Sequence, residues 1–165
     1  MAESSSAAGS DPRVIVHLGV QKTGSTSLHH FLQKNAAALA DRLVFRTPEA
    51  GTPMRPLGRA AIAYSLDGER GDEARLMEAV ATVCEGLPQD GRTVLISHEN
   101  LAGAMPGNGG ETRLYPALPR IIALLDRAFA PLVPVYAVYS RRMEAWKASV
   151  WAQAVRTDLV GARQL

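Results

Sequence analysis

The stretch Val14–Asn35, VIVHLGVQKTGSTSLHHFLQKN, decides how this chain is read. Its first part, VIVHL at 14–18, is a short continuous run weighted to apolar residues, the pattern of a strand covered on both faces. A turn rich in Gly, Ser and Thr follows, GVQKTGSTS at 19–27. Leu28, Phe31, Leu32, Ala36 and Leu39 then recur at helical spacing. A strand, a small-residue turn and a helix in that order make a site for an anion, because the unpaired N–H groups of the first helical turn and the helix dipole both favour negative charge. Gly24 lets a ligand approach the backbone closely. Ser25, Thr26 and Ser27 bring hydroxyls that either donate to a ligand or simply cap the helix. Lys22 brings a cation that elsewhere would be an ordinary solvated charge. Their combination directly after a buried strand predicts a phosphate-binding turn.

The rest of the chain supplies the setting. TVLIS at 93–97 and VPVYAVY at 133–139 are two further strand candidates. Helical stripes run through Leu76, Val80, Val83 and Leu87, through Leu118, Ile121, Ile122, Leu125 and Phe129, and through Met143, Trp146, Val150 and Ala154. Strands separated by helices predict an α/β protein, a three-layer α/β/α arrangement around a central parallel sheet. The expected organisation is a flexible tail at 1–12 and one domain at 13–165. RTPEAGTPMRPLGR (46–59) and AGAMPGNGGETR (102–113) read as loops, the second as a mobile flap.

Composition narrows the function classes. A chain of 165 residues with 47% hydrophobic and 21% charged residues is that of a globular domain, which argues against a mostly disordered chain. A net charge of +2 with no dense basic run gives no argument for nucleic acid, so any anion site must be built locally. The single cysteine, Cys84, excludes an internal disulfide framework or a cysteine-based zinc cluster and reads as a small packing residue. The opening MAESSSAAGSDPR has neither a basic start nor an apolar core and does not read as a secretory signal. No apolar run approaches the roughly 20 residues needed to span a bilayer. The expectation is a soluble, cytoplasmic protein with no membrane partner.

The residue order of the turn excludes two familiar phosphate loops. The nucleoside triphosphate loop, G-x-x-x-x-G-K-[ST], sets its lysine after the second glycine, whereas Lys22 precedes Gly24; the dinucleotide fingerprint G-x-G-x-x-G is absent. HLGVQKTGSTSL at 17–28 instead resembles the 5′-phosphosulfate loop of the sulfotransferases that use 3′-phosphoadenosine 5′-phosphosulfate (PAPS), written G-x-P-K-[TS]-G-[TS]-[TS]-x-L, with Gln21 where that family usually has Pro. The resemblance implies a P-loop-containing nucleotide hydrolase-like sulfotransferase fold and PAPS as co-substrate, with no metal. It further implies that Lys22 bridges the 5′-phosphate and the sulfonate, and that Thr23, Gly24, Ser25, Thr26 and Ser27 form the cradle.

The same family holds the 3′-phosphate with an arginine at the end of a later strand and a serine eight residues on. In VYAVYSRRMEAWKASVWAQ these correspond to Arg141 and Ser149, with Arg142 pointing elsewhere. The chemistry is sensible: guanidinium offers a fork of donors to phosphate oxygens, and a serine about two helical turns in can lean toward the same crevice.

Sulfuryl transfer also needs a base for the acceptor. VLISHENL resembles a stretch of bacterial and carbohydrate-type members and makes Glu99 the first candidate, with His98 the alternative. Glu99 is equally readable as a first-turn acid facing a helix dipole. Neighbouring side chains on an extended chain point to opposite sides, so His98 and Glu99 are not expected to share the substrate. His17 reads as a core histidine. His29 and His30 face different ways and offer no shared metal site. Trp146 and Trp151 read as packing between helix and sheet.

The family domain continues well beyond its second motif, whereas this chain reaches RTDLVGARQL directly, so the fold is expected to be incomplete, with uncovered sheet edges that invite self-association. The acceptor is expected to be a small molecule or a glycan. The rival readings are a P-loop-like nucleotide-binding or phosphotransferase module, and a non-catalytic fragment that needs a partner chain.

Overall fold

A computed structural model describes residues 13–67 and 72–157. The tail expected at 1–12 and the last part of the domain expected at 13–165, residues 158–165, lie outside the described residues. The protein is α/β. Four strands form one sheet: β1 (Val14–His17), β2 (Leu43–Arg46), β3 (Thr93–Ser97) and β4 (Val135–Ala137). Their order is β2-β3-β1-β4 and every pairing is parallel. The helices are α1 (Ser25–Lys34), α2 (Ala36–Leu39), α3 (Met54–Leu66), α4 (Glu73–Glu85), α5 (Leu118–Ala128) and α6 (Met143–Thr157).

Strand order fixes which face each helix covers. The connection from β1 to β2 runs one way across the sheet; those from β2 to β3 and from β3 to β4 run the other way. Since parallel crossovers are right-handed, α1 falls on one face and α3, α4 and α5 on the opposite one. Contacts among α3, α4 and α5 agree with this and are consistent with a three-layer arrangement.

Side-chain alternation then divides the sheet. Val14 and Val16 lie beside Val94 and Ile96 in register, all fully buried, and with Leu57, Leu76, Ile121, Leu125 and Phe129 they form the main core. Ile15, His17, Leu95 and Ser97 point to the other face, where α1 turns Ser25, His29 and Leu32 inward. The continuous run VIVHL therefore alternates after all, with a polar residue at its most buried position on the α1 side.

Several expectations change. Phe31 is 58% exposed, because the buried face of α1 is turned to meet the sheet's polar side through His29. Strand β2 and helix α3 were not anticipated, although α3 buries Met54, Leu57, Ala61 and Tyr64 at helical spacing. Residues 54–59 of the expected loop at 46–59 are helical, since Pro53 precedes α3 and Pro56 sits in its first turn, where a missing N–H breaks no helical bond. Strand β4 is shorter than 133–139: Pro134 offers no N–H and Val133 turns with φ 46°. The expected flap at 102–113 is buried from Ala102 to Gly107, and Ala104 donates its N–H to Ser65 Oγ at 2.8 Å. Trp146 packs as expected, but Trp151 is 52% exposed. No helix among the described residues is long and apolar enough to cross a membrane.

Candidate functional site

Strands β1 and β3 are neighbours that lead the chain to opposite faces, so a crevice opens between the segments that follow them. A cavity of about 450 Å³ lies there, within the range of small-molecule pockets, with walls that are mostly polar. Lys22, Gly24, Ser25 and Thr26 line it from the turn after β1, Glu99 and Asn100 from the segment after β3, and Arg141 and Ser149 from the end of the β4 segment and α6. Residues separated by more than a hundred positions thus meet in one space.

The turn gains its shape from two residues in left-handed backbone conformations. Lys22 has φ 69° and Gly24 φ 105°, and no side chain caps α1. Backbone reversals of this kind gather N–H groups into an anion-binding concavity, and the uncapped helix start leaves its leading N–H groups to a ligand. Arg141 Nη1 donates to Lys22 O at 3.4 Å, which brings the guanidinium to the mouth of the turn. Arg142 instead pairs with Glu144 at the surface, as expected.

Gln21 is anchored by several hydrogen bonds. Its Nε2 donates to Gly103 O at 2.9 Å and to Asn100 Oδ1 at 3.3 Å, its Oε1 accepts from the Tyr115 hydroxyl, and its carbonyl accepts from Trp146 Nε1 at 2.8 Å. Burial pushes the Tyr115 phenol well above its ordinary pKa, so it stays a neutral donor. The Gln21 side chain ties the turn to the β3 segment and to Tyr115, and its backbone carbonyl ties it to α6.

Glu99 borders the cavity and accepts a hydrogen bond from Ser25 Oγ. His98, the alternative base, does not line that space. Its ring is 4% exposed and turned to the α3 side, where a Cβ added to Gly58 would lie only 2.1 Å from its Nε2. Its Nδ1 accepts from the Asn100 N–H at 3.1 Å, and burial lowers its pKa to about 4. Thr23 and Ser27, expected in the cradle, do not line the cavity either. Thr23 Oγ1 is engaged by Val20 O at 2.6 Å and its side chain lines a neighbouring apolar hollow. Ser27 is exposed and not part of the cavity wall.

Beneath the turn lies a buried polar cluster. Ser97 Oγ is 2.7 Å from His17 Nδ1 and 2.9 Å from His29 Nε2. Burial lowers both histidine pKa values; His29 presses that of His17 down further, while Glu99 opposes the shift in both. A Cβ on Gly19 would lie 3.1 Å from His17 Cε1, a tight approach that the ring would have to yield to. Tyr139 stacks on His17 with ring centroids 4.4 Å apart.

Among the described residues no three His, Cys, Asp or Glu side chains are grouped to hold a metal ion. Cys84 is half-buried on α4, and burial raises its thiol pKa, as suits a packing residue. No protein-family model and no curated protein matches this chain. Sequence reasoning missed Gln21 as an anchor, Asn100, Tyr115 and the Ser97 cluster. Only Gln21 left a signal, as the one departure from an otherwise matching motif.

Proposed function

We propose that this chain is a sulfotransferase that binds PAPS in the cavity between the β1 and β3 segments and moves its sulfonate to a hydroxyl or amine of a small-molecule or glycan acceptor. The observation that carries the reading is the convergence of Arg141 and Ser149 on the cavity that holds Lys22, Gly24, Ser25 and Thr26. An ATP-type ligand has no need of a second phosphate site, whereas a 3′,5′-bisphosphorylated nucleoside needs anion sites at both ends. The donor set fits such a molecule: hydroxyls and N–H groups at the turn, and a guanidinium and hydroxyl across from it.

In this reading the substrate supplies an activated sulfonate, and the residues divide the work. Lys22 neutralises charge that builds on the transferring group and on the departing 5′-phosphate oxygen. Ser25, Thr26 and the first-turn N–H groups hold that phosphate. Glu99 takes the acceptor's proton as the new S–O or S–N bond forms and the bond to the phosphate oxygen breaks. For this, Ser25 must release its hydrogen bond to Glu99 and turn to the ligand. Arg141 and Ser149 fix the 3′-phosphate and hence the register of the whole donor.

Calorimetric titration with adenosine 3′,5′-bisphosphate against ADP tests the assignment. The bisphosphate is expected to bind at least about tenfold more tightly, one charge-assisted contact being worth that much. Equal affinity, or a preference for ADP, points to the nucleotide-binding reading instead. Lys22→Ala should lower transfer of labelled sulfonate by at least about a hundredfold; transfer at the unaltered rate removes that lysine from the mechanism.

A further inference from the structure

His17 is 1% exposed, yet among the described residues its Nε2 has no hydrogen-bond partner. That ring edge faces the turn: a Cβ placed on Gly19 would lie 3.5 Å from both His17 Nε2 and Ser25 Cβ. A buried polar atom without a partner is costly unless something at the site answers it. We infer that an anion bound at the 19–27 turn draws a proton into the His17–Ser97–His29 cluster beneath it, which makes His17 a positioning residue for that anion. The inference deepens the proposed function and rests on its reading of the turn as an anion site, not on the identity of the donor.

Counting hydrogens carries the argument. Ser97 has one hydroxyl hydrogen and stands between two imidazole nitrogens, so it donates to one while the other donates to it. If His17 holds its hydrogen on Nδ1, its Nε2 is a bare lone pair turned to the turn. If it holds the hydrogen on Nε2, that N–H has no acceptor. One added proton from solvent resolves the first case: His17 Nδ1–H donates to Ser97 Oγ, Ser97 donates to His29 Nε2, and His17 Nε2–H aims its positive end toward the anion.

The surroundings decide when that proton enters. Ser25 and His29 face His17 from α1, Glu99 from the segment after β3, and the Tyr139 ring from the segment after β4; His30 and Glu49 act on His29. Glu99 favours the cation, while burial and the second imidazole oppose it, which keeps the cluster neutral near pH 7 before an anion arrives. A dianion above the turn tips the balance. Proton uptake on binding requires affinity to rise as pH falls through the histidine range.

Inorganic sulfate is the probe, because it stays dianionic through that range while phosphates titrate. Calorimetry of the full chain with sulfate, in two buffers of different ionisation heat, reads the protons taken up. About half a proton or more per sulfate is expected near pH 6.5, with affinity tightening several-fold between about pH 8 and pH 6. Uptake should vanish in Ser97→Ala and His17→Gln and persist in Glu99→Gln. The Ser97 variant removes only a hydroxyl and guards against poor folding of the His17 variant. Sulfate binding without proton uptake, uptake unchanged in both cluster variants, or uptake abolished by Glu99→Gln overturns the inference. Absence of sulfate binding overturns it together with the anion turn. Proton-linked sulfate binding alongside a preference for ADP upholds it and removes the sulfotransferase reading alone.

Discussion

The two faces of the β1–β3 pair are built from the same few residues and do opposite work. On one face Val14, Val16, Val94 and Ile96 are fully buried among aliphatic side chains. On the other, one register step away, His17, Ser97 and the incoming His29 form a hydrogen-bonded cluster just as deeply buried. The alternation continues past the end of β3, sending His98 into the α3 layer and Glu99 to the cavity. Burial alone therefore does not tell core from site here. Hydrophobic area holds one face, and a hydrogen-bonded polar cluster orders the other.

Three substitutions sharpen that contrast. The largest stability effect belongs to the apolar face: Ile96→Ala should remove about 4 kcal/mol, read from denaturant midpoints, by leaving a cavity that its neighbours cannot fill. Affinity for adenosine 3′,5′-bisphosphate should stay within about twofold in the folded fraction; a parallel loss of both would show the faces to be one unit. His98 comes next. Its folded pKa of about 4 lies below the ordinary 6.5, so the unfolded chain binds a proton that the folded chain refuses. The stability it contributes is present above pH 6.5 and is lost as pH falls toward 4, by about 3 kcal/mol. In His98→Asn the fall in stability across that window should shrink by this amount; an unchanged slope rules out His98 as its source. Smaller still, Arg141→Ala should weaken the bisphosphate by about 2 kcal/mol, some thirtyfold, while leaving adenosine 5′-phosphate unaffected. Equal losses for both ligands would separate Arg141 from the 3′-phosphate.

Much of this was legible in the sequence because it is local. A strand, a Gly-Ser-Thr turn and a helix occur within Val14–Asn35, and the turn's chemistry needs no partner to be recognised. Arg141 and Ser149 were singled out through the family resemblance, and both line the cavity. What escaped was tertiary. Leu43–Arg46 is too short and too mixed to read as a strand, and becomes one only because β3 offers its edge. Gln21 and Tyr115 lie 94 positions apart, and nothing in either segment announces that they bond. From sequence His29 enters only as a metal-ligand candidate, yet the sheet buries it in place of Phe31, and Ser97 gives its ring a partner. Thr23 and Ser27 were indistinguishable from Ser25 and Thr26 by residue type. Only the hand of the turn assigns them different directions.

The left-handed backbone of Lys22 separates the tasks of one residue. Its side chain lines the cavity and in the proposed function meets the ligand, while its φ of 69° would suit a glycine better, at a strain of about 1 kcal/mol. Lys22→Gly should thus raise the melting temperature slightly and abolish anion capture. Laboratory selection of this chain for heat resistance alone would drift toward glycine at position 22 and yield a sturdier protein with nothing to hold. A lysine kept there against that drift marks a position governed by what the molecule grips.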